Sequence, residues 1–253
     1  MKLYYIGTGA ADWTAAAGAK GGVTRRFSSA VLDGRLLIDL APTTPLSLFD
    51  KAFREVDAVL YTHSHSDHFS PEHLYRLAET RELTVVGDAR LLALLAEHPG
   101  IHRCEAAADV ALEVSGYTVT PLAANHRITR NPEETPLHYV IEKDGQRIFW
   151  GADGAWFPCA TWAAMRRMRP YDRVVLDGTL GDEDNDNRVF EHNNLTMVGM
   201  IQKNLLGQGM LTEGGQIWLT HLSRDAHIAP DELGQELARR GLFMAKDDLE
   251  DFI

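Results

Sequence analysis

Cysteine occurs only twice in this 253-residue chain, at Cys104 and Cys159. Two scattered cysteines cannot build a disulfide framework, and they suit a reducing, cytoplasmic setting. Long apolar runs are missing too: no stretch approaches the ~20 residues that a membrane-spanning helix needs. The opening Met1-Lys2-Leu3-Tyr4-Tyr5-Ile6-Gly7 reads as a strand entering a glycine turn. It lacks a signal peptide's basic start, long apolar stretch and cleavage site. Basic residues are in deficit. With 25 Lys and Arg against 36 Asp and Glu, the net charge is −11. Such a chain has no electrostatic footprint for wrapping long nucleic acid. It can still accept a phosphate, because bound metal ions reverse the local sign. No linker, low-complexity tract or short repeat interrupts residues 1–253, which we read as one domain.

Hydrophobic residues make up 45% of the chain, enough for a proper core. Their patterning predicts strands over residues 3–6, 29–32, 35–39, 58–61, 83–86, 117–122, 137–142, 147–151, 173–176 and 216–219. It predicts helices over 44–53, 71–80, 89–97, 161–169, 197–206 and 231–240. Asp33-Gly34 and the run Lys143-Asp144-Gly145-Gln146 mark hairpins, and 182–187 reads as a polar loop. Strands alternate with helices through both halves, which suits layers with sheets inside and helices outside.

The densest chemical signal is His63-Ser64-His65-Ser66-Asp67-His68. Neutral imidazole and carboxylate suit zinc, manganese or iron. The cluster follows the apolar strand 58–61 and precedes a helix whose start is marked by Ser70-Pro71. It therefore sits on a strand-to-helix loop, where ligands can converge from a rigid base. A plain polar loop is the bland alternative, and the concentration of ligand types argues against it. Further ligand types stand at later strand ends: Asn125-His126, Gly151-Ala152-Asp153-Gly154 and Thr220-His221. Taken singly, His126 and His221 are ordinary strand-end histidines and Asp153 a turn former. Their order is what singles them out.

The first cluster resembles the H-x-H-x-D-H signature of the metallo-β-lactamase superfamily, and the later segments stand where that family's remaining ligands follow. The resemblance spans nearly the whole chain. It implies an α+β four-layer αββα sandwich, with two mixed sheets inside and helices on the outside. It also implies two divalent metal ions, with zinc as the first expectation and manganese or iron as alternatives. Carried over by position, His63, His65 and His126 would hold one ion, and Asp67, His68 and His221 the other. Asp153 would bridge them. Asp67 permits a dinuclear site of nitrogen and oxygen ligands alone. Neither cysteine stands at the late ligand position that some antibiotic-hydrolysing relatives use.

Gly7-Thr8-Gly9, Arg26-Phe27-Ser28-Ser29 and Asp39 resemble the N-terminal pattern of ribonuclease Z and related cyclic phosphodiesterases. Asp177-Gly178-Thr179-Leu180 and Glu191-His192-Asn193-Asn194 resemble that branch's Glu-Ala-Thr-like and Gly-His-Ser-Thr-like motifs, with Asp for Glu and Asn-Asn for Ser-Thr. The resemblance implies that Asp177 orients His192, which acts on the scissile phosphate or its leaving group. A structural surface histidine is the competing reading of His192. No long insertion is present to grip tRNA. The expected activity is therefore a dinuclear phosphodiesterase that uses water activated at the metals on a small or cyclic phosphodiester. The expected partner is that small molecule, with no membrane and with a homodimer allowed. A lactone, ester or thioester hydrolase using the same metal pair is the alternative, followed by a non-enzymatic metal-binding module. His227 lies either behind the ligands or at the surface. His73, His98, His102 and His138 read as structural.

Overall fold

The structure is a computed structural model that describes residues 1–184 and 186–253. Asn185, inside the expected polar loop, lies outside the described residues. The first half holds β1 (Lys2–Gly7), β2 (Ser29–Leu32), β3 (Leu36–Ile38), α1 (Ser47–Lys51), β4 (Ala58–Leu60), α2 (Pro71–Ala78), β5 (Leu83–Gly87), α3 (Ala89–Leu92) and β6 (Ile101–Glu105). The second half holds β7 (Leu112–Val114), β8 (Tyr117–Ala123), β9 (Leu137–Lys143), β10 (Gln146–Gly151), α4 (Cys159–Met168), β11 (Tyr171–Asp177), α5 (Leu195–Gly207), β12 (Leu211–Thr220) and α6 (Pro230–Arg239). The short strands β13 (Phe243–Met244) and β14 (Leu249–Phe252) close the chain.

The strands form two seven-stranded mixed sheets, ordered β14-β1-β2-β3-β4-β5-β6 and β13-β12-β11-β10-β9-β8-β7. In the first sheet the pairings from β14 to β3 are antiparallel and those from β3 to β6 parallel. The second repeats the pattern: antiparallel from β7 to β10, parallel from β10 to β13. Leu3, Tyr5, Leu60, Val119, Ile141 and Val175 fill the space between the sheets. The alternate residues face outward. Ile6, Val59 and Tyr61 pack with Phe49, Leu74 and Leu91 of α1–α3. Val140, Val174 and Leu176 pack with Met165, Val198 and Leu233 of α4–α6. The central strands are buried on both faces, so they read as continuous apolar runs. The layers are helices, sheet, sheet and helices, the expected αββα sandwich. Among the described residues, no helix is long and apolar enough to cross a membrane. Cys104 and Cys159 are both free thiols.

Some expected elements change. The helix expected over 44–53 shrinks to Ser47–Lys51, because Thr44 N–H closes a turn on the Ala41 carbonyl before it. The helix expected over 89–97 ends at Leu92, where Leu94 and Leu95 switch to tighter bonds on Leu91 and Leu92. Four strands, β6, β7, β13 and β14, fall outside the sequence reading. All lie at or next to sheet edges, where side chains such as His102, Arg103 and Glu250 replace the apolar pattern. Ser115-Gly116 was a usable signal for β7. Its φ angles of 52° and 78° make the same turn type as Asp33-Gly34 and Asp144-Gly145.

Candidate metal centre

Strand direction gathers the ligand-type residues. β8, β10, β11 and β12 run the same way, so their C-terminal ends lie along one edge of the second sheet. His126, Asp153, Asp177 and His221 stand at or just beyond those ends. From the facing sheet, β4 delivers Thr62 to His68. Phe69 and His68 both donate backbone N–H groups to the His65 carbonyl, coiling the loop so that its side chains converge. Asp153 and His221 have φ angles of 57° and 55°. Left-handed backbone at bulky residues costs energy and persists where the surroundings over-determine it.

Four donor groups meet on one side. His65 Nδ1 lies 3.0 Å from His126 Nε2. His63 Nε2 lies 3.1 Å from Asp153 Oδ2. His63, His65, His126 and Asp153 each offer a donor atom within 4.8 Å of the others. On the other side, Asp67 Oδ2 lies 3.4 Å from His221 Nε2 and 3.6 Å from His68 Nε2. Asp153 Oδ2 reaches into this group as well, at 3.3 Å from His68 Nε2 and 3.6 Å from His221 Nε2. The expected ligands thus form two groups that share Asp153.

Several of these close contacts are not hydrogen bonds. His63 Nε2, His68 Nε2 and Asp153 Oδ1 are buried and have no hydrogen-bond partner. Orphaned polar atoms in an interior cost free energy unless something else satisfies them. Here they point at common centres, and the donor set is nitrogen and oxygen alone. The residues fit a divalent metal pair.

The outer ring nitrogens are tied down. His68 Nδ1 lies 2.8 Å from Asp39 Oδ2, which also accepts the Thr62 hydroxyl at 2.8 Å. His63 Nδ1 sits 2.9 Å from Thr62 Oγ1 and His126 Nδ1 3.2 Å from the Glu191 carbonyl. His221 Nδ1 sits 2.8 Å from Thr179 Oγ1, whose hydroxyl donates to Asp177 Oδ2 at 2.9 Å. Such bonds assign the tautomer and aim Nε2 inward. Glu134 grips the loop from outside, taking the Ser64 backbone N–H at 2.7 Å and the Ser64 hydroxyl. Burial, helped by the neighbouring His68, pushes His63 well below its ordinary pKa. It stands neutral, the form that offers a lone pair. Burial works against ionising Asp153, but His126, His221 and His192 outweigh it and hold the carboxyl well below the usual range.

Asp177 and His192 stand beside this cluster. His192 Nδ1 lies 3.1 Å from Asp177 Oδ2 and 3.0 Å from Asp153 Oδ1. The reading of His192 as a surface histidine is corrected by its position: the ring is mostly buried and lines the site. Asp177 is heavily occupied: its Oδ1 accepts the Thr179 and Asn193 backbone N–H groups, and its Oδ2 accepts Thr179 Oγ1 and His192. Asp153, Asp177, His192 and His221 also bring one donor atom each within 4.8 Å of one another. The ligand-type residues open onto a cavity of about 260 Å³, lined by Asp12, His65, Asp67, Arg188, His192 and Ser223 among others.

Glu134 escaped the sequence reading, and no local pattern marks it. Thr179 and Glu191 fall in the quoted motifs, but their bonds to His221 and His126 do not show in the sequence. His73 Nδ1 meets the Ala41 carbonyl, His98 Nδ1 accepts the Gly100 N–H, and His102 approaches Glu82 at the surface. His138 is fully buried without a side-chain partner. His227 resolves to the inner of its two readings. It is buried, and its Nε2 donates to the Gly178 carbonyl at 2.6 Å, directly behind Asp177. Burial pushes its pKa from 6.5 down to about 4. The unfolded chain therefore takes up a proton first as pH falls, and stability is lost from about pH 6.5 downward toward 4. His227→Gln keeps an N–H for Gly178 without a titrating ring. Between pH 7.5 and 5, wild type should lose roughly 2 kcal/mol more unfolding free energy than this variant. Urea titrations at both pH values check this, and equal losses would contradict it.

Residues 29–222 match the beta-lactamase superfamily domain, and the chain belongs to that family. No curated protein matches the chain. Among solved structures it is similar to the metallo-beta-lactamase fold protein YhfI from Bacillus subtilis, with 20% identity, TM-score 0.76 and 99% of each chain covered. A diphosphatase of the PhnP family shows 19% identity and TM-score 0.75 over 99% of this chain and 96% of its own. The short form of human tRNase Z shows 18% identity and TM-score 0.71 over 100% and 99%.

Proposed function

We propose that the chain is a dinuclear metal-dependent phosphodiesterase acting on a small or cyclic phosphodiester. His63, His65 and His126 would hold one divalent ion, Asp67, His68 and His221 the other, with Asp153 between them. Zinc is the first expectation, with manganese or iron as alternatives. When bound, such a pair activates water and neutralises the phosphate. The observation that carries the reading is the bond from Asp177 to His192 at the cavity wall. Burial lowers the His192 pKa, but Asp153 and Asp177 outweigh it and push it up to about 11. Their charge favours the ring that carries a proton on each nitrogen. Nδ1–H stays on Asp177, and Nε2–H is available to a leaving oxygen. The diphosphatase and tRNase Z among the structural neighbours lend support from phosphoester chemistry. The acidic net charge of −11 supports a small substrate over long nucleic acid. The two free thiols support a cytoplasmic location.

Purified protein should carry about two transition-metal ions per chain and hydrolyse bis(4-nitrophenyl) phosphate. Removing metal with a chelator should abolish turnover, and zinc, manganese or iron should restore it. Elemental analysis showing no bound metal after reconstitution would sink the proposal. A panel of cyclic phosphodiesters, linear phosphodiesters and lactones tests the substrate class. Turnover confined to lactones or esters would replace the phosphodiester reading.

A further inference from the structure

Arg188 is the one arginine or lysine lining the cavity among the described residues. It lies on a short 3-10 helix, Asn187–Phe190, that enters the His192 segment. Its backbone and that of the candidate acid form one unit: the Arg188 carbonyl accepts the His192 N–H at 2.7 Å and the Glu191 N–H at 2.8 Å. The guanidinium is held from one side only. Asp186 takes Nε at 3.0 Å and Nη2 at 2.6 Å, and also accepts the Arg188 backbone N–H at 2.8 Å. Nη1 has no partner among the described residues, so the terminal fork stays available. An aspartate bound side-on fixes the direction of an arginine and leaves its outer N–H groups for a second anion. At the acidic rim, Asp12 Oδ2 accepts the Asp225 N–H at 3.1 Å and the Ser223 hydroxyl, while its Oδ1 has no partner.

From this we infer that Arg188 is a specificity residue for a second phosphoryl group, carried on the leaving-group side of a phosphodiester substrate. The inference rests on the phosphodiesterase reading and sharpens its substrate class. A scissile phosphate held over the ligand-type residues would put its leaving oxygen toward His192. Arg188, four positions earlier on the same segment and lining the same cavity, would then meet whatever that oxygen belongs to. A neutral leaving group leaves the guanidinium fork unused, whereas a phosphorylated one fills it with charge-assisted, two-point hydrogen bonds. An acidic chain gains discrimination from one placed cation, because its general field repels anions bound anywhere else.

A matched pair of substrates tests this: adenosine 2′,3′-cyclic phosphate with and without a 5′-phosphate. Both present the same scissile group, and the added phosphate rides on the sugar that keeps the leaving oxygen. Wild-type metal-loaded enzyme should prefer the 5′-phosphorylated compound by roughly 10- to 100-fold in kcat/KM. In Arg188→Gln the preference should collapse toward unity, with the loss falling on the phosphorylated substrate and mainly in KM. Arg188→Lys, which keeps charge but not the fork, should retain part of it. Wild type without preference, or a variant that keeps it, overturns the inference. So does an equal loss on both substrates, which would make Arg188 a structural brace for His192. If lactones turn over and no phosphodiester does, the phosphodiesterase reading itself falls.

Discussion

Replacing Asp153 with asparagine is expected to cost both metal occupancy and turnover, the latter by roughly 1,000-fold or more, since metal charge stabilisation contributes several kcal/mol. The reason is geometric. Asp153 approaches His63 to 3.1 Å, His68 to 3.3 Å, His126 to 3.5 Å, His192 to 3.0 Å and His221 to 3.6 Å. Among the described residues, no other carboxylate touches both ligand groups and the candidate acid. Asparagine is the informative substitution because Asp153 sits at a φ of 57°. Asn tolerates left-handed backbone nearly as well as Asp, so the change removes charge and one oxygen while sparing the turn. Elemental analysis beside circular dichroism checks the result. Full metal content with full turnover in a folded Asp153→Asn protein would remove Asp153 from the bridging position.

Much of this centre is legible in the sequence, and for a physical reason. Parallel strands put their C-terminal ends on one edge, so ligands placed just after apolar runs must converge whatever the loops between them do. His126, Asp153 and His221 each follow such a run. The supporting contacts are legible only in part. Asp39 and Thr179 stand in the quoted motifs, but their histidine partners lie 29 and 42 positions away and do not show. Glu134 bonds a residue 70 positions away, and that separation leaves no period or local motif. Arg188 looks like any arginine on a polar loop until the backbone bonds to His192 are seen. The sheet edges fail differently. β6 and β14 are held largely by ladder hydrogen bonds to a single neighbour, and half-exposed edges carry no apolar alternation to read.

His192→Ala should lower turnover of a phosphodiester with a poor leaving group by roughly 100- to 10,000-fold, the usual worth of a placed proton donor. The metal content should stay intact. His192 Nδ1 lies within reach of Asp153 but is already bonded to Asp177, and Asp177 is itself heavily occupied. The loss should shrink for a nitrophenyl phosphodiester, whose leaving oxygen needs little protonation. That contrast separates acid catalysis from a general defect. Asp177→Asn should give a smaller loss of the same kind, because an amide in place of the carboxylate weakens the hold on Nδ1–H and misorients the ring. The pH profile adds a second readout. Asp153 and Asp177 raise the His192 pKa to about 11 against burial, and cations bound at Asp153 draw on its charge and bring that value down. Turnover of the poor-leaving-group substrate should therefore fall on the alkaline side in wild type, and that limb should vanish in His192→Ala. Loss of metal in His192→Ala would instead make the residue a ligand. Equal losses on good and poor leaving groups would take proton donation away from it and move ester or lactone hydrolysis ahead.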